Sequence, residues 1–289
     1  TCALPIWSPE MGEWGKKLGD VRVSYHGEVV EKAQRLTLDQ ILPGLPPMGY
    51  GASVALAELC EGEVREKLEN PLSTLLPEDE LPDDVPAPKV HASQEQWEKI
   101  AGELYRRGLV QPVEDPVKVK GQAILNGAFG VPKPGKFLED ERAILRLIMD
   151  FRAVNSVTEI VTGDVRSLAG SPSLQHVVLP AGKVIRMSAD DLVAAFYLFR
   201  LPAEWSRLMC FASKVAWRCL GIDRDGAVYV GATVLPMGWS SAVGILQHAH
   251  RRLALRSPLA GGGGLLGPTE IRRDSIFPDL ELEEVMWSL

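Results

Sequence analysis

Three short blocks constrain this chain more than any other feature: RLIMDFRAVN (146–155), MSADDLVAAFYLFRLP (187–202) and VLPMGWSSAVGILQ (234–247). The first sits in RAILRLIMDF (142–151), which reads as a strand. Side chains alternate across a strand, so Arg146, Ile148 and Asp150 share one face and Leu147 and Met149 the other. NGAFGVPKPGKF (126–137) reads as its partner across a charged turn, and VIRMSADDL (184–192) as a further strand. The third block leaves the strand-like DGAVYVGATVLP (225–236) and runs into WSSAVGILQHAHRRLAL (239–255). That last segment reads as a helix with Arg251 and Arg252 in its later turns, where the helix dipole favours cations.

The remaining segments add helices without a strict βα alternation, so the expected fold class is α+β. Residues 51–70 read as one amphipathic helix burying Val54, Leu56, Leu59, Val64 and Leu68. Ahead of it, LPGLPPMG (42–49) breaks regular structure. Ser93 and Gln96 form a capping-box pattern, in which side chains satisfy amides of the first helical turn. Trp97, Ile100, Leu104 and Tyr105 follow at helical spacing, Gly108 closes the helix, and LVQPV (109–113) leaves it extended. PEDELPDDVPAPK (77–89) is acidic, Pro-rich and almost without apolar residues, so it reads as a linker. Residues 1–76 form an N-terminal extension with no nameable motif, and SPLAGGGGLLGP (257–268) reads as a flexible insertion.

The net charge of −7 is unevenly spread. Residues 1–90 hold 8 Lys/Arg against 16 Asp/Glu, residues 91–257 hold 21 against 16, and residues 258–289 hold 2 against 6. The motif-bearing middle is therefore the basic part, as a surface facing phosphates needs. No apolar run is long enough for a transmembrane helix, so no membrane partner is expected. Cys2, Cys60, Cys210 and Cys219 are scattered with no C-x-x-C pair, which reads as free thiols in a reducing, intracellular setting, nuclear or cytoplasmic. The chain starts at Thr1 and shows no signal peptide; the expectation is a fragment of a longer polyprotein.

In this order the blocks resemble the fingers and palm of retroelement reverse transcriptases, the RNA-directed DNA polymerases of retrotransposon and retrovirus-like Pol polyproteins. The resemblance covers roughly residues 90–289. It implies a right-hand polymerase: fingers at 90–183, then a partial palm at 184–289 made of an antiparallel sheet backed by helices. A fingers segment at about 200–235 would be interleaved in that palm. It also implies two-metal nucleotidyl transfer, with Mg²⁺ (or Mn²⁺ in its place) on carboxylates at strand ends. Neighbours on a strand point to opposite faces, so only one of Asp190 and Asp191 can face a cleft. The resemblance selects Asp191 as catalytic residue and metal ligand, because Phe196 follows it at the family's spacing. Phe196 would be the gate that excludes a ribose 2′-hydroxyl by clash.

The resemblance further gives Arg146 the triphosphate, a role suited to a planar, permanently charged fork. Lys133 is the nearest match to a second phosphate-contacting lysine. Met237 and Gly238 would lie at the nucleotide, with Met237 where retroviral enzymes often carry Gln. Trp239, Gln247 and Arg251 would serve template and primer. The implied partners are an RNA or DNA template with its primer, dNTPs and the rest of Pol (remaining palm, thumb, RNase H). The L-P-x-G-W form points to LTR-type or retroviral elements.

The family's Y-x-D-D block is absent, and Val285-Met286-Trp287-Ser288-Leu289 looks like the strand leading into it, so its carboxylates are expected just beyond Leu289. A rival reading is a decayed or domesticated remnant that binds nucleic acid or a partner without polymerising. An RNA-templated RNA polymerase is disfavoured by Phe196. One carboxylate cannot assemble a two-metal site. The 289-residue chain alone is therefore expected not to extend oligo(dT) on poly(rA); extension that disappears in Asp191→Asn would overturn this.

Overall fold

The computed structural model describes residues 33–168, 181–182 and 193–256, all within one compact unit that begins at Ala33. Among them helices and mainly antiparallel strands are mixed, as the α+β expectation has it. The expected strand at 184–192 and the Gly-rich segment 257–268 lie outside the described residues.

Among the described residues, strands β1 (Val54–Ala55), β2 (Val110–Val113), β3 (Gly127–Phe137), β4 (Ala143–Asp150), β5 (Phe199–Arg200), β6 (Val215–Ala216) and β7 (Ala227–Ala232) are accompanied by four helices of six residues or more. These are α1 (Gly62–Glu69), α2 (Gln94–Arg106), α3 (Arg152–Val157) and α4 (Ala242–Arg256). β3 and β4 form the long antiparallel hairpin read from the sequence, with Gly127 opposite Asp150 and Val131 opposite Arg146. Its register shifts between Pro132 and Phe137, where two prolines remove ladder donors. β2, β7 and β6 make an antiparallel three-stranded sheet. Parallel single bridges Val90–Ala128 and Asn126–Phe211 stitch the start of β3 to neighbouring chain.

Helix α2 forms where its pattern predicts. Ser93 Oγ accepts from the Gln96 N–H at 3.2 Å, which satisfies one free amide of the first turn. The reciprocal half of the capping box is not made. Gln96 instead accepts from the Leu38 N–H at 3.0 Å, tying the upstream segment to the helix. Trp97, Ile100, Ala101 and Leu104 are buried. Trp97 meets Phe211 edge-on at 5.3 Å, a preferred aromatic geometry, and donates its indole N–H to the Ser213 carbonyl at 2.9 Å.

The single helix expected over 51–70 is a correction. The chain runs β1, a four-residue helix Leu56–Leu59, a break at Cys60–Glu61, then α1. Leu56, Val64 and Leu68 are buried as expected, whereas Val54 and Leu59 are only half-buried. Two tertiary bonds override the helical periodicity. Val54 and Ala55 pair in parallel with Phe199 and Arg200, far away in sequence. At the break, the Glu61 N–H donates to His248 Nε2 at 3.2 Å. Propensity is a weak prior beside such pairings.

Residues 33–76 contribute Leu36, Ile41, Leu56 and Leu68 to the same hydrophobic core as the rest of the unit. Trp205 Nε1 donates to the Leu68 carbonyl at 2.8 Å. Residues 77–89 carry no helix or strand. Cys210 and Cys219 are free thiols, and burial pushes the Cys210 thiol up to about 12. None of the described helices is long and apolar enough to cross a membrane.

Gly102 sits mid-helix in α2 with the Cys219 carbonyl where a side chain would be: an added Cβ would lie 2.5 Å from that oxygen. Alanine ordinarily favours a helix interior over glycine by about 1 kcal/mol. Here the close approach reverses the sign, and Gly102→Ala should destabilise by about 1–3 kcal/mol. Urea unfolding measures it; an unchanged or raised midpoint would show that α2 and residues 217–220 are not in this contact.

Candidate functional site

The first block is built as alternation requires. Leu145, Leu147 and Met149 are buried, Arg146 is exposed, and Asp150 is partly covered at the strand end. Among the described residues the Arg146 side chain makes no hydrogen bond or ion pair. Asp150, in contrast, is held by Arg152 in a two-pronged pair: Nε to Oδ1 at 2.9 Å and Nη2 to Oδ2 at 2.7 Å. Such fork-to-carboxylate pairs are the strong kind. The Arg152 hydrogen bonds hold the Asp150 carboxyl below the usual range, against a smaller opposing effect of its own burial. Lys133 lies within the stretch where the hairpin register shifts, with its amine against the Leu42–Gly44 turn: a Cβ at Gly44 would meet Nζ at 3.1 Å.

The third block is brought against the first. A turn at Pro236–Trp239 is closed by the Trp239 N–H on the Pro236 carbonyl at 3.2 Å. Gly238 lies so close to β4 that an added Cβ would sit 2.1 Å from the Met149 carbonyl oxygen. No residue with a side chain fits there. The Gly238 close approach is thus to protein backbone. Asn155, from α3, spans the same turn with both ends of its amide. Nδ2 donates to the Gly238 carbonyl and Oδ1 accepts from the Ser240 N–H, each at 3.0 Å.

Met237 projects from this turn and is 62% exposed. Trp239 turns inward, 2% exposed, with its ring 4.6 Å from that of Trp205. Its indole N–H has no partner. Gln247 is buried on α4 and donates to Ser167 Oγ at 3.3 Å. Arg251 pairs with Asp164 at 2.6 Å, and the same carboxylate lies 3.4 Å from His248 Nδ1. Trp239, Gln247 and Arg251, expected at template and primer, are thus engaged within the fold.

Of the second block, Asp190 and Asp191 lie outside the described residues. Phe196 is half-buried in a four-residue helix, Ala195–Leu198, entered through Ala194 at φ 55°. A left-handed alanine is uncommon and costs of order 1 kcal/mol. Upstream residues support this entry: Tyr50 Oη donates to the Val193 carbonyl at 3.0 Å, and the Ala52 N–H to the Tyr197 carbonyl at 2.8 Å. Beyond it, the second and third blocks pair directly. The Leu235 N–H donates to the Phe199 carbonyl at 2.9 Å, and the Leu201 N–H to the Thr233 carbonyl at 2.8 Å. The three blocks are therefore joined by hydrogen bonds and a backbone contact.

Sequence reading gave Asn155 no role although it is the last letter of the first block, and it passed over Asn126, Tyr50 and Ala52. The available signal for Asn155 was an amide-bearing residue inside a recognisable block. Nothing in the pattern marked the others. Among the described residues no group of three His, Cys, Asp or Glu side chains could hold a metal ion. The metal site expected at Asp191 lies outside them. No protein-family model matches the chain, and no curated protein matches its sequence.

Because Asp150 titrates lower in the folded chain than its unfolded value of about 3.9, it binds fewer protons there. Its contribution to stability is therefore present above about pH 4 and lost as pH falls through the lowered folded value. Urea midpoints of the wild type and Asp150→Asn, measured from pH 6 to 3, should differ most at the upper end and converge downward. A gap that is constant with pH would show that the ion pair contributes no net stability.

Proposed function

We propose that the chain is the fingers and partial palm of a retroelement reverse transcriptase. Its reaction would be template-directed DNA synthesis from dNTPs by nucleotidyl transfer. The observation that carries the reading is the junction of first and third blocks. Gly238 lies on the Met149 backbone, Asn155 spans the turn, and the Arg146 guanidinium, unpaired among the described residues, stands on the exposed face of the same strand. Arg146 would grip the incoming triphosphate and Phe196 would bar a ribose. Lys133 and Met237 would flank the nucleotide. Mg²⁺ would be held by Asp191 with carboxylates from the Y-x-D-D segment. The partners would be a primed RNA or DNA template, dNTPs and the other Pol regions.

A second reading draws on a different observation. Trp239, Gln247 and Arg251 are used in packing and pairing, as in a remnant that keeps the fold and binds nucleic acid or a partner without polymerising.

Equilibrium binding of Mg²⁺·dATP to the 289-residue chain, on poly(rU) primed with oligo(dA), separates the two. The polymerase reading expects dATP to bind in preference to ATP. Arg146→Ala should weaken dATP binding by about 10- to 100-fold, the range for losing a charged hydrogen-bonding partner. Phe196→Ala should level dATP and ATP. A chain that binds dATP and ATP alike on the primed template, with no loss in Arg146→Ala, would overturn the polymerase reading in favour of the remnant.

A further inference from the structure

We infer that Asn155 is a positioning residue: its amide holds the turn carrying Met237 in fixed register with the strand carrying Arg146. The claim rests on the reading of that turn and strand as a nucleotide site, and it deepens it. An amide side chain has one donor end and one acceptor end. The turn offers the complementary pair two residues apart, the Gly238 carbonyl and the Ser240 N–H, and both bonds are 3.0 Å. Flipping the amide would set donor against donor and acceptor against acceptor, so the orientation is fixed by its partners.

The mount of Asn155 is equally defined. Its own N–H donates to the Phe151 carbonyl at 2.8 Å, and the neighbouring Val154 N–H is accepted by Asn126 Oδ1 at 3.3 Å. α3 begins two residues after Asp150, and Arg152 folds back onto that carboxylate. A continuous path thus runs from β4 through the Asp150–Arg152 pair and α3 to the turn. On the far side, Gly238 rests on the Met149 carbonyl, so the turn is gripped between strand and amide.

Ser240 is exposed, so water can reach the turn when the amide is removed. Loss of Asn155 should therefore loosen the turn before it unfolds the chain. Met237 and Arg146 would then no longer be held at one separation. A rigid two-point grip on a nucleotide loses affinity when its points drift, because ordering them must accompany each binding event.

The test compares wild type, Asn155→Ala and Asn155→Asp in the 289-residue chain with primed poly(rU). Amide hydrogen exchange at residues 237–241 reads the clamp, and Mg²⁺·dATP affinity reads its consequence. In Asn155→Ala the Ser240 amide should exchange about tenfold faster, the size of one lost hydrogen bond. In that variant dATP should bind about 5- to 20-fold more weakly, while primed-template affinity and the urea midpoint of the core stay near wild type. Asn155→Asp keeps the acceptor for Ser240 and loses the donor to Gly238, so it should restore Ser240 protection and part of the dATP affinity. Unchanged Ser240 exchange in Asn155→Ala overturns the clamp. Faster exchange with unchanged dATP affinity overturns the positioning role and leaves Asn155 structural. A wild type that binds dATP and ATP alike, with Ser240 exchange still accelerated by Asn155→Ala, overturns the polymerase reading and supports the clamp alone.

Discussion

A buried amide holds the described structure together at its busiest crossing. Asn126 is fully buried. Its Nδ2 donates to the carbonyls of Leu208 and Cys210 at 3.0 and 3.1 Å, and its Oδ1 accepts from the Val154 N–H at 3.3 Å. Its backbone N–H donates to the Cys210 carbonyl and its carbonyl accepts from the Ala212 N–H, both at 2.7 Å. One residue thus fixes the entry to β3, the body of α3 and the segment 208–212. Each bond adds only about 1 kcal/mol net, but a buried polar group left without a partner costs about 1–3 kcal/mol. The Leu208 carbonyl and the Val154 N–H, from two distant segments, lose this partner if the amide is absent or displaced, so the arrangement is specified far more sharply than an apolar contact would specify it.

The Gly238–Ser240 turn hangs from that crossing in series. Asn126 fixes α3, α3 carries Asn155, and Asn155 fixes the Gly238–Ser240 turn. Apolar packing brings the same elements together: Phe211 lies between Trp97 and Phe151, at centroid distances of 5.3 and 6.2 Å. Packing of this kind tolerates small sliding. Directional bonds to backbone groups do not, and they set the register in which Met149 meets Gly238.

Features with a period were legible in the sequence. The buried face of α2, the hairpin of β3 and β4, and the placing of Arg146 on the strand face opposite Leu147 and Met149 follow from 3.6- and 2-residue spacings, and the structure has them. Residues 51–70 misled because the periodicity there is real, yet β1 answers to β5 and Glu61 to His248, partners far along the chain. Asn126 and Asn155 were unreadable for another reason. A lone polar residue has no pattern, and its importance comes from the backbone groups that happen to face it. Trp239, Gln247 and Arg251 show the limit of a motif: a short string indicates that residues matter, and an inward tryptophan or a paired arginine matters through packing or charge as readily as through a ligand.

Charge balance explains why the functional reading leans on one cation. Arg152 answers Asp150, Arg251 answers Asp164, and Arg252 lies 3.3 Å from Glu61. An anion arriving at any of these must compete with a carboxylate already in place, and displacing it exposes a partly covered negative charge. Arg146 carries no such partner among the described residues, and its neighbours Leu145 and Leu147 are anchored in the core. Its strand is therefore held while its guanidinium is unengaged. A phosphate bound there displaces no carboxylate of the described residues, whereas at the paired arginines it replaces an ion pair. That difference favours Arg146 for a polyanionic ligand over Arg152, Arg251 and Arg252.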